Sequence, residues 1–243
     1  MVRFFVQSED FHDDFMTLTG DNAAHAKVLR LKNGEHVVVC DGQGKECVCV
    51  ISDVSQGQIS LVVTGQEESS SEPRVFVSVY MAFSKGDKLE HVIQKATELG
   101  ASEIIAFPSS RCVSRPDDKS LAKKIDRWQK IALSAAQQSG RGRIPKVVAL
   151  DSYKAVLERA KQADISILFY ENESATTLQS VLKAQDYRSV SLITGPEGGL
   201  EDAEVAMALE SGLQVCTLGK RILRCETAPL CALSAVMYDS GEF

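Results

Sequence analysis

Long apolar runs are missing from this 243-residue sequence. None approaches the roughly 20 residues that cross a bilayer, so no membrane partner is expected. The amino terminus, Met1-Val2-Arg3-Phe4-Phe5-Val6, meets Glu9 and Asp10 before a signal-peptide apolar region can form, and a cytosolic (cytoplasmic) location is expected. Cysteines at metal-ligand spacing are also missing. Cys40, Cys47, Cys49, Cys112, Cys216, Cys225 and Cys231 never form Cys-x-x-Cys, and His12, His25, His36 and His91 stand apart from them. No metal is expected, and an odd count of seven argues against a disulfide framework. No first-strand Gly-x-Gly-x-x-Gly and no Gly-x-x-x-x-Gly-Lys-Ser/Thr occurs. A Rossmann dehydrogenase and a P-loop enzyme both lose their phosphate cradle.

What is present is an uneven charge. The net charge is −6, yet ten bases and three acids fall between Arg111 and Lys146, which leaves −13 on the rest. A basic segment on an acidic body suits a docked polyanion.

Residues 1 to about 64 read as short strands at Arg3–Val6, His36–Cys40, Glu46–Ser52 and Gln58–Val63, with turn signals at Asp41-Gly42-Gln43-Gly44 and Gln56-Gly57. One helix, Asn22–Arg30 capped by Asp21, interrupts them. The pattern fits a small β-barrel or curled sheet. Gly65–Pro73 has a linker composition, so the expected domains are 1–72 and 73–243. Beyond it, strands alternate with helices: Val75–Phe83, Asp87–Leu99, Glu103–Phe107, Asp117–Ser139, Val147–Leu150, a helix capped by Asp151 and running to Ala163, Ile165–Tyr170, Thr176–Ala184, Val190–Thr194, Glu201–Ser211, Gln214–Leu218 and a last helix from about Pro229. That alternation predicts an α/β domain with a parallel sheet.

Two glycine-punctuated turns organise the second domain. Thr194-Gly195-Pro196-Glu197-Gly198-Gly199 follows one apolar run, and Leu218-Gly219-Lys220-Arg221-Ile222-Leu223-Arg224 follows another. Glycine serves a strand-to-helix turn that needs positive φ, and equally a ligand lying on bare backbone. Alone, either run is as well explained by a tight turn. Open α/β sheets bind ligands beyond the carboxyl ends of their strands, so the two turns can wall one pocket. Ile222 and Leu223 suit an apolar ring, and Arg224 with Glu226 suits a polar reacting group. His25 and His91 read as structural histidines.

These turns, continued by Glu226-Thr227-Ala228, resemble the RsmE family of SPOUT methyltransferases. Further matches are His25-Ala26-x-Val28-Leu29-Arg30, Gln94-Lys95-Ala96-Thr97-Glu98-Leu99-Gly100 and Ala135-Ala136-Gln137-Gln138-Ser139-x-Arg141. Cys225 stands where the family usually has threonine. The resemblance implies a SPOUT-type parallel sheet with a carboxyl-terminal trefoil knot, preceded by a PUA-like β-barrel. It also implies a homodimer that uses S-adenosyl-L-methionine to methylate N3 of a uridine in 16S rRNA of the small ribosomal subunit, near the decoding centre. On that basis the cofactor is expected on Leu168, Tyr170, Glu171, Thr194, Gly195, Pro196, Glu197, Gly198, Gly199, Leu218, Gly219, Ile222 and Leu223. Uracil N3 must lose its proton while charge spreads onto O2 and O4, and arginine is the natural donor to those oxygens. The catalytic candidates are Arg141 and Arg224, with Glu226 as base or as the orienter of an arginine. RNA contacts are expected from Arg3, Lys27, Arg30, Arg111, Arg115, Arg141 and Arg143. A SPOUT enzyme for another nucleotide and a non-catalytic ribosome-assembly protein are the rival readings.

Overall fold

The computed structural model describes residues 1–55 and 57–243, so Gln56 of the expected Gln56-Gly57 turn lies outside the described residues. The chain divides into two compact units, 1–72 with 136–144, and 73–135 with 145–243.

The first unit is a five-stranded sheet. Its strands are β1 (Val2–Phe5), β2 (Phe15–Leu18), β3 (His36–Cys40), β4 (Lys45–Ser55) and β5 (Gln58–Glu68), in the order β1-β3-β4-β5-β2. The Asp41–Gly44 turn joins β3 and β4 as an antiparallel pair, and Asp41 Oδ1 accepts from the Gln43 and Lys45 N–H groups. Alternate residues of β4, Cys47, Cys49 and Ile51, face a core shared with Phe4, Leu18, Val37, Val39 and Leu61. The short helix α1 (Gly20–Val28) begins and ends two residues earlier than expected, and His25 packs edge-on against Phe4 at 5.8 Å.

Three sequence expectations are corrected here. β2 was not expected, because its four residues follow an acidic His-Asp-Asp run. Gly65–Glu68 is not linker but the end of β5, where backbone pairing with β4 outweighs polar composition. Residues 136–144, expected in the second domain, fold with the first unit. The Glu72 carboxylate explains this last case. It accepts from Arg141 Nη2 at 2.7 Å, from the Gly142 N–H at 3.0 Å and from the Arg143 N–H at 3.1 Å.

The second unit is a six-stranded, wholly parallel sheet with helices between its strands. In chain order it runs β6 (Phe76–Ala82), α2 (Lys88–Glu98), β7 (Glu103–Phe107), α3 (Asp118–Ser139), β8 (Lys146–Ala149), α4 (Tyr153–Ala160) and β9 (Ile165–Phe169). It continues with α5 (Leu178–Leu182), β10 (Ser189–Thr194), α6 (Asp202–Glu210), β11 (Gln214–Cys216) and α7 (Thr227–Asp239). The order is β11-β9-β10-β6-β7-β8. β9 and β10 are near-continuous apolar runs because both faces of a parallel sheet are covered. Burying each Leu or Ile there contributes about 1.5–3 kcal/mol.

One glycine and one proline mark helix ends here. Gly100 ends α2 at φ 96, and a Cβ there would approach Pro73 Cγ at 2.7 Å. Pro229 sits in the first turn of α7, where its missing N–H would have had no helical partner. Among the described residues, no helix is long and apolar enough to cross a membrane.

Candidate active site

A cavity of about 740 Å³ opens at the carboxyl ends of β9, β10 and β11, entirely within the second unit. That volume is in the range of small-molecule sites. Three segments wall it: the loop after β9 from Phe169, the turn after β10 from Thr194, and the turn from Thr217 into the start of α7. Their positions are fixed by backbone bonds. The Tyr170 N–H donates to the Cys216 carbonyl at 3.0 Å, and the Thr217 N–H donates to the Thr176 carbonyl at 2.9 Å. The Gly219 N–H donates to Thr217 Oγ1 at 3.1 Å.

The glycines leave backbone bare where the cavity needs it. Gly199 has φ 70, and a Cβ there would run into Glu171 Oε1 and lie 3.1 Å from its Cδ. At Gly195 a Cβ would press on Leu200 Cγ at 3.0 Å. Gly219, at φ 106, faces open space. Ile222 is 84% exposed beside Leu218 and Leu223, an apolar edge with no protein cover.

Of the expected cofactor residues, Tyr170, Glu171, Thr194, Gly195, Pro196, Glu197, Gly199, Leu218, Gly219, Ile222 and Leu223 line this one cavity, and so do Arg224 and Glu226. Two do not. Leu168 is wholly buried in the sheet core, one residue short of the cavity wall. Gly198 turns toward Arg111, whose Nη1 donates to its carbonyl at 3.1 Å.

Glu197 is a brace, since its carboxylate accepts from the Lys85 N–H and from Lys88 Nζ, each at 2.9 Å. Partial burial pushes its pKa up, but the Lys88 and backbone hydrogen bonds outweigh that and hold it below the usual carboxylate range. The partner Lys88 is held above its ordinary value, chiefly by the Glu197 hydrogen bond. Lys88 lines the cavity and was missed in the sequence. Its position in the first turn after β6, at a strand's carboxyl end, was the available signal.

Cys225 and Glu226 form a second pair. Burial pushes the Cys225 thiol up to about 12, so at neutral pH it donates, here to Glu226 Oε2 at 3.2 Å. Glu226 is held below the usual range, first by its own backbone N–H and then by the Cys225 thiol and the nearby Lys88 and Arg224 charges. A carboxylate shifted that way is a poor proton acceptor at neutral pH and a good anchor for a cation.

Two of the expected arginines are ion-paired within the first unit. Arg141 is only 4% exposed there, ion-paired to Glu72 at 2.7 Å. Arg3, expected at RNA, has its half-buried side chain ion-paired to Glu46 at 2.8 Å and donates to Cys40 Sγ. Lys27, Arg30, Arg111, Arg115 and Arg143 are exposed. Among the described residues no cluster could hold a metal ion.

Residues 71–237 match the RNA methyltransferase domain family, and residues 18–64 match the RNA methyltransferase PUA domain family. The ribosomal RNA small subunit methyltransferase E of Bacillus subtilis (strain 168) is 38% identical over 99% of this chain and 97% of its own. The chain belongs to the ribosomal RNA small subunit methyltransferase E family. The member from Mesomycoplasma hyopneumoniae (strain 232) is 34% identical over 98% of this chain and all of its own. A solved member from Neisseria gonorrhoeae, bound to S-adenosyl methionine, superposes with a TM-score of 0.86 at 29% identity, covering 98% of this chain and 97% of the other.

Proposed function

We propose that this chain is an S-adenosyl-L-methionine-dependent 16S rRNA methyltransferase that acts on N3 of a uridine near the decoding centre. The observation that carries the reading is the single cavity walled by two glycine turns at the carboxyl ends of three parallel strands. The residues present fit the cofactor. Bare backbone at Gly195, Gly199 and Gly219 admits its close approach, Leu218, Ile222 and Leu223 suit an adenine face, and the Glu171 carboxylate suits ribose hydroxyls. Bound there, the cofactor supplies an electrophilic methyl group.

The chain's own residues hold the acceptor. Arg224, exposed at the cavity mouth, donates to the uracil oxygens as negative charge spreads onto them. We assign Glu226, whose carboxylate feels the Arg224 charge, to orienting that arginine, and the N3 proton leaves to solvent. Arg141 is assigned to holding residues 140–143 through Glu72.

The proposal extends to a trefoil knot in the 190–230 region and to a cytoplasmic homodimer. β11 pairs with β9, not with its predecessor β10, and α7 returns to pack on β6 and β10, which is compatible with a threaded chain. For the dimer, α7 carries an outward stripe of Leu230, Cys231 and Tyr238, starting beside the cavity. Sedimentation velocity of Tyr238→Glu checks this: a monomer is expected, and a dimer as stable as the wild type would remove the stripe from the interface.

Tritium transfer from labelled S-adenosylmethionine to small-subunit RNA, followed by nucleoside digestion, tests the reaction. Label in 3-methyluridine is expected. Label in another nucleoside would overturn the N3 assignment, and folded protein with no transfer would overturn the reading.

A further inference from the structure

We propose that the outward face of α3, extended by Arg111 and Arg115, is a track that carries an RNA phosphate backbone to the cavity. The inference rests on the RNA-methylating reading above and names the surface that the substrate uses. Lys119, Lys123 and Lys130 follow one another at four- and seven-residue steps, so about 100° per residue puts them within roughly 40° on one side of the helix. Trp128, Ala132 and Ala135 occupy the opposite side and are buried, with Trp128 tilted against Phe83 at 6.5 Å between ring centres. The three lysines are exposed, and none has an ion-pair partner among the described residues. Arg127 is outside the track, since Glu90 holds it at 2.6 Å. Asp126 shares the face and subtracts one charge.

The track has a direction. From Lys119 to Lys130 the helix rises about 16 Å, long enough to meet several successive phosphates of one strand. Toward the amino terminus it continues through Arg115, whose guanidinium is fixed on the Ser109 carbonyl, to Arg111. Arg111 Nη1 is on the carbonyl of Gly198, in the turn that walls the cavity, and its Nε is 4.0 Å from Glu201 Oε1, a long, solvent-exposed ion pair that a phosphate can displace. A cationic row that ends at a reaction site, on a chain whose remaining surface is acidic, matches a polyanion held in register with its target base.

The test is the triple variant Lys119→Gln, Lys123→Gln, Lys130→Gln against a control, Lys154→Gln with Lys183→Gln, which removes exposed lysines elsewhere on the same unit. The probe is a fluorescent 16S rRNA transcript, titrated from 50 to 200 mM KCl. Three lost phosphate contacts lower the slope of log K against log salt by about 2, which at 0.1 M KCl is a roughly hundred-fold weaker Kd. The control keeps the wild-type slope, and calorimetry with S-adenosylmethionine gives the same Kd for all three proteins. A triple variant with the wild-type slope, or a control that loses as much, overturns the track. Methyl transfer by the wild type is read in parallel. Its absence overturns the underlying function while the slope still decides whether α3 is an RNA face.

Discussion

Replacing Gly199 by alanine perturbs the cavity at one atom, and its effect can be followed along two separate routes. The first is conformational: φ 70 costs an L-residue about 1 kcal/mol, which for a chain of this size lowers Tm by roughly 2–4 °C. The second is steric. The new Cβ occupies the place of Glu171 Oε1, so that carboxylate must swing out of the cavity wall. If Glu171 bonds cofactor hydroxyls, the loss is one or two hydrogen bonds to a charged group, about 1.5–3 kcal/mol, or roughly 10- to 100-fold in Kd. The two routes separate in a double-mutant cycle read by calorimetry. Glu171→Ala alone loses the same affinity, and Gly199→Ala added to it loses little more, because the clash has been removed. The Tm penalty persists in both backgrounds. Additive losses of affinity, or wild-type affinity for Gly199→Ala, would refute the reasoning.

Three further outcomes are expected. Because the folded pKa of Glu197 is depressed, the stability that it contributes is present above the unfolded value of about 4.3 and is lost as pH falls through the folded one. The Tm gap between wild type and Glu197→Gln should therefore stay flat from pH 8 to about 5 and shrink below 4.5; a gap that closes near pH 6 contradicts the Lys88 brace. Cys225, with its thiol pushed up to about 12, should resist iodoacetamide at pH 7.5 in the folded protein and react only after unfolding, as read by peptide mass spectrometry. Arg141→Ala leaves Glu72 without its ion-pair partner in a buried site, so a loss of about 3 kcal/mol in unfolding free energy is expected; unchanged stability with abolished turnover would return Arg141 to the chemistry.

Much of the fold was legible because burial leaves its period in the sequence. Val190–Thr194 and Ile165–Phe169 read as parallel strands since they are short, mostly apolar runs interrupted only by the small Ser166, Ser191 and Thr194, and Gly100 marked the end of α2 by being glycine. The two turns of the cavity were legible for the same local reason. β2 and the parallel pairing of β1 with β3 were not, because pairing between strands distant in sequence depends on partners and leaves no mark on a four-residue segment. Lys88 was marked only by its place beyond the carboxyl end of β6, because its role comes from Glu197, 109 residues away.

The arginines make the limit sharper. Arg3, Arg141, Arg143 and Arg224 are alike in composition, and each lies near a glycine turn, a strand end or a basic run. What separates them is whether a buried carboxylate lies within hydrogen-bond reach. Glu46 and Glu72 neutralise Arg3 and Arg141 and turn them into parts of the first unit. Arg143 is exposed one residue beyond the clamp, because Glu72 spends its remaining bonds on the backbone N–H groups of Gly142 and Arg143 themselves. The clamp thus fixes the main chain at Arg143 and leaves its guanidinium to solvent. A guanidinium already matched by a carboxylate that is largely out of water has little to offer a phosphate or a uracil oxygen, since an incoming anion would leave that carboxylate poorly solvated and unpaired. On that argument the cations that meet RNA are those that the acidic body leaves unmatched, and their positions follow from where the carboxylates are.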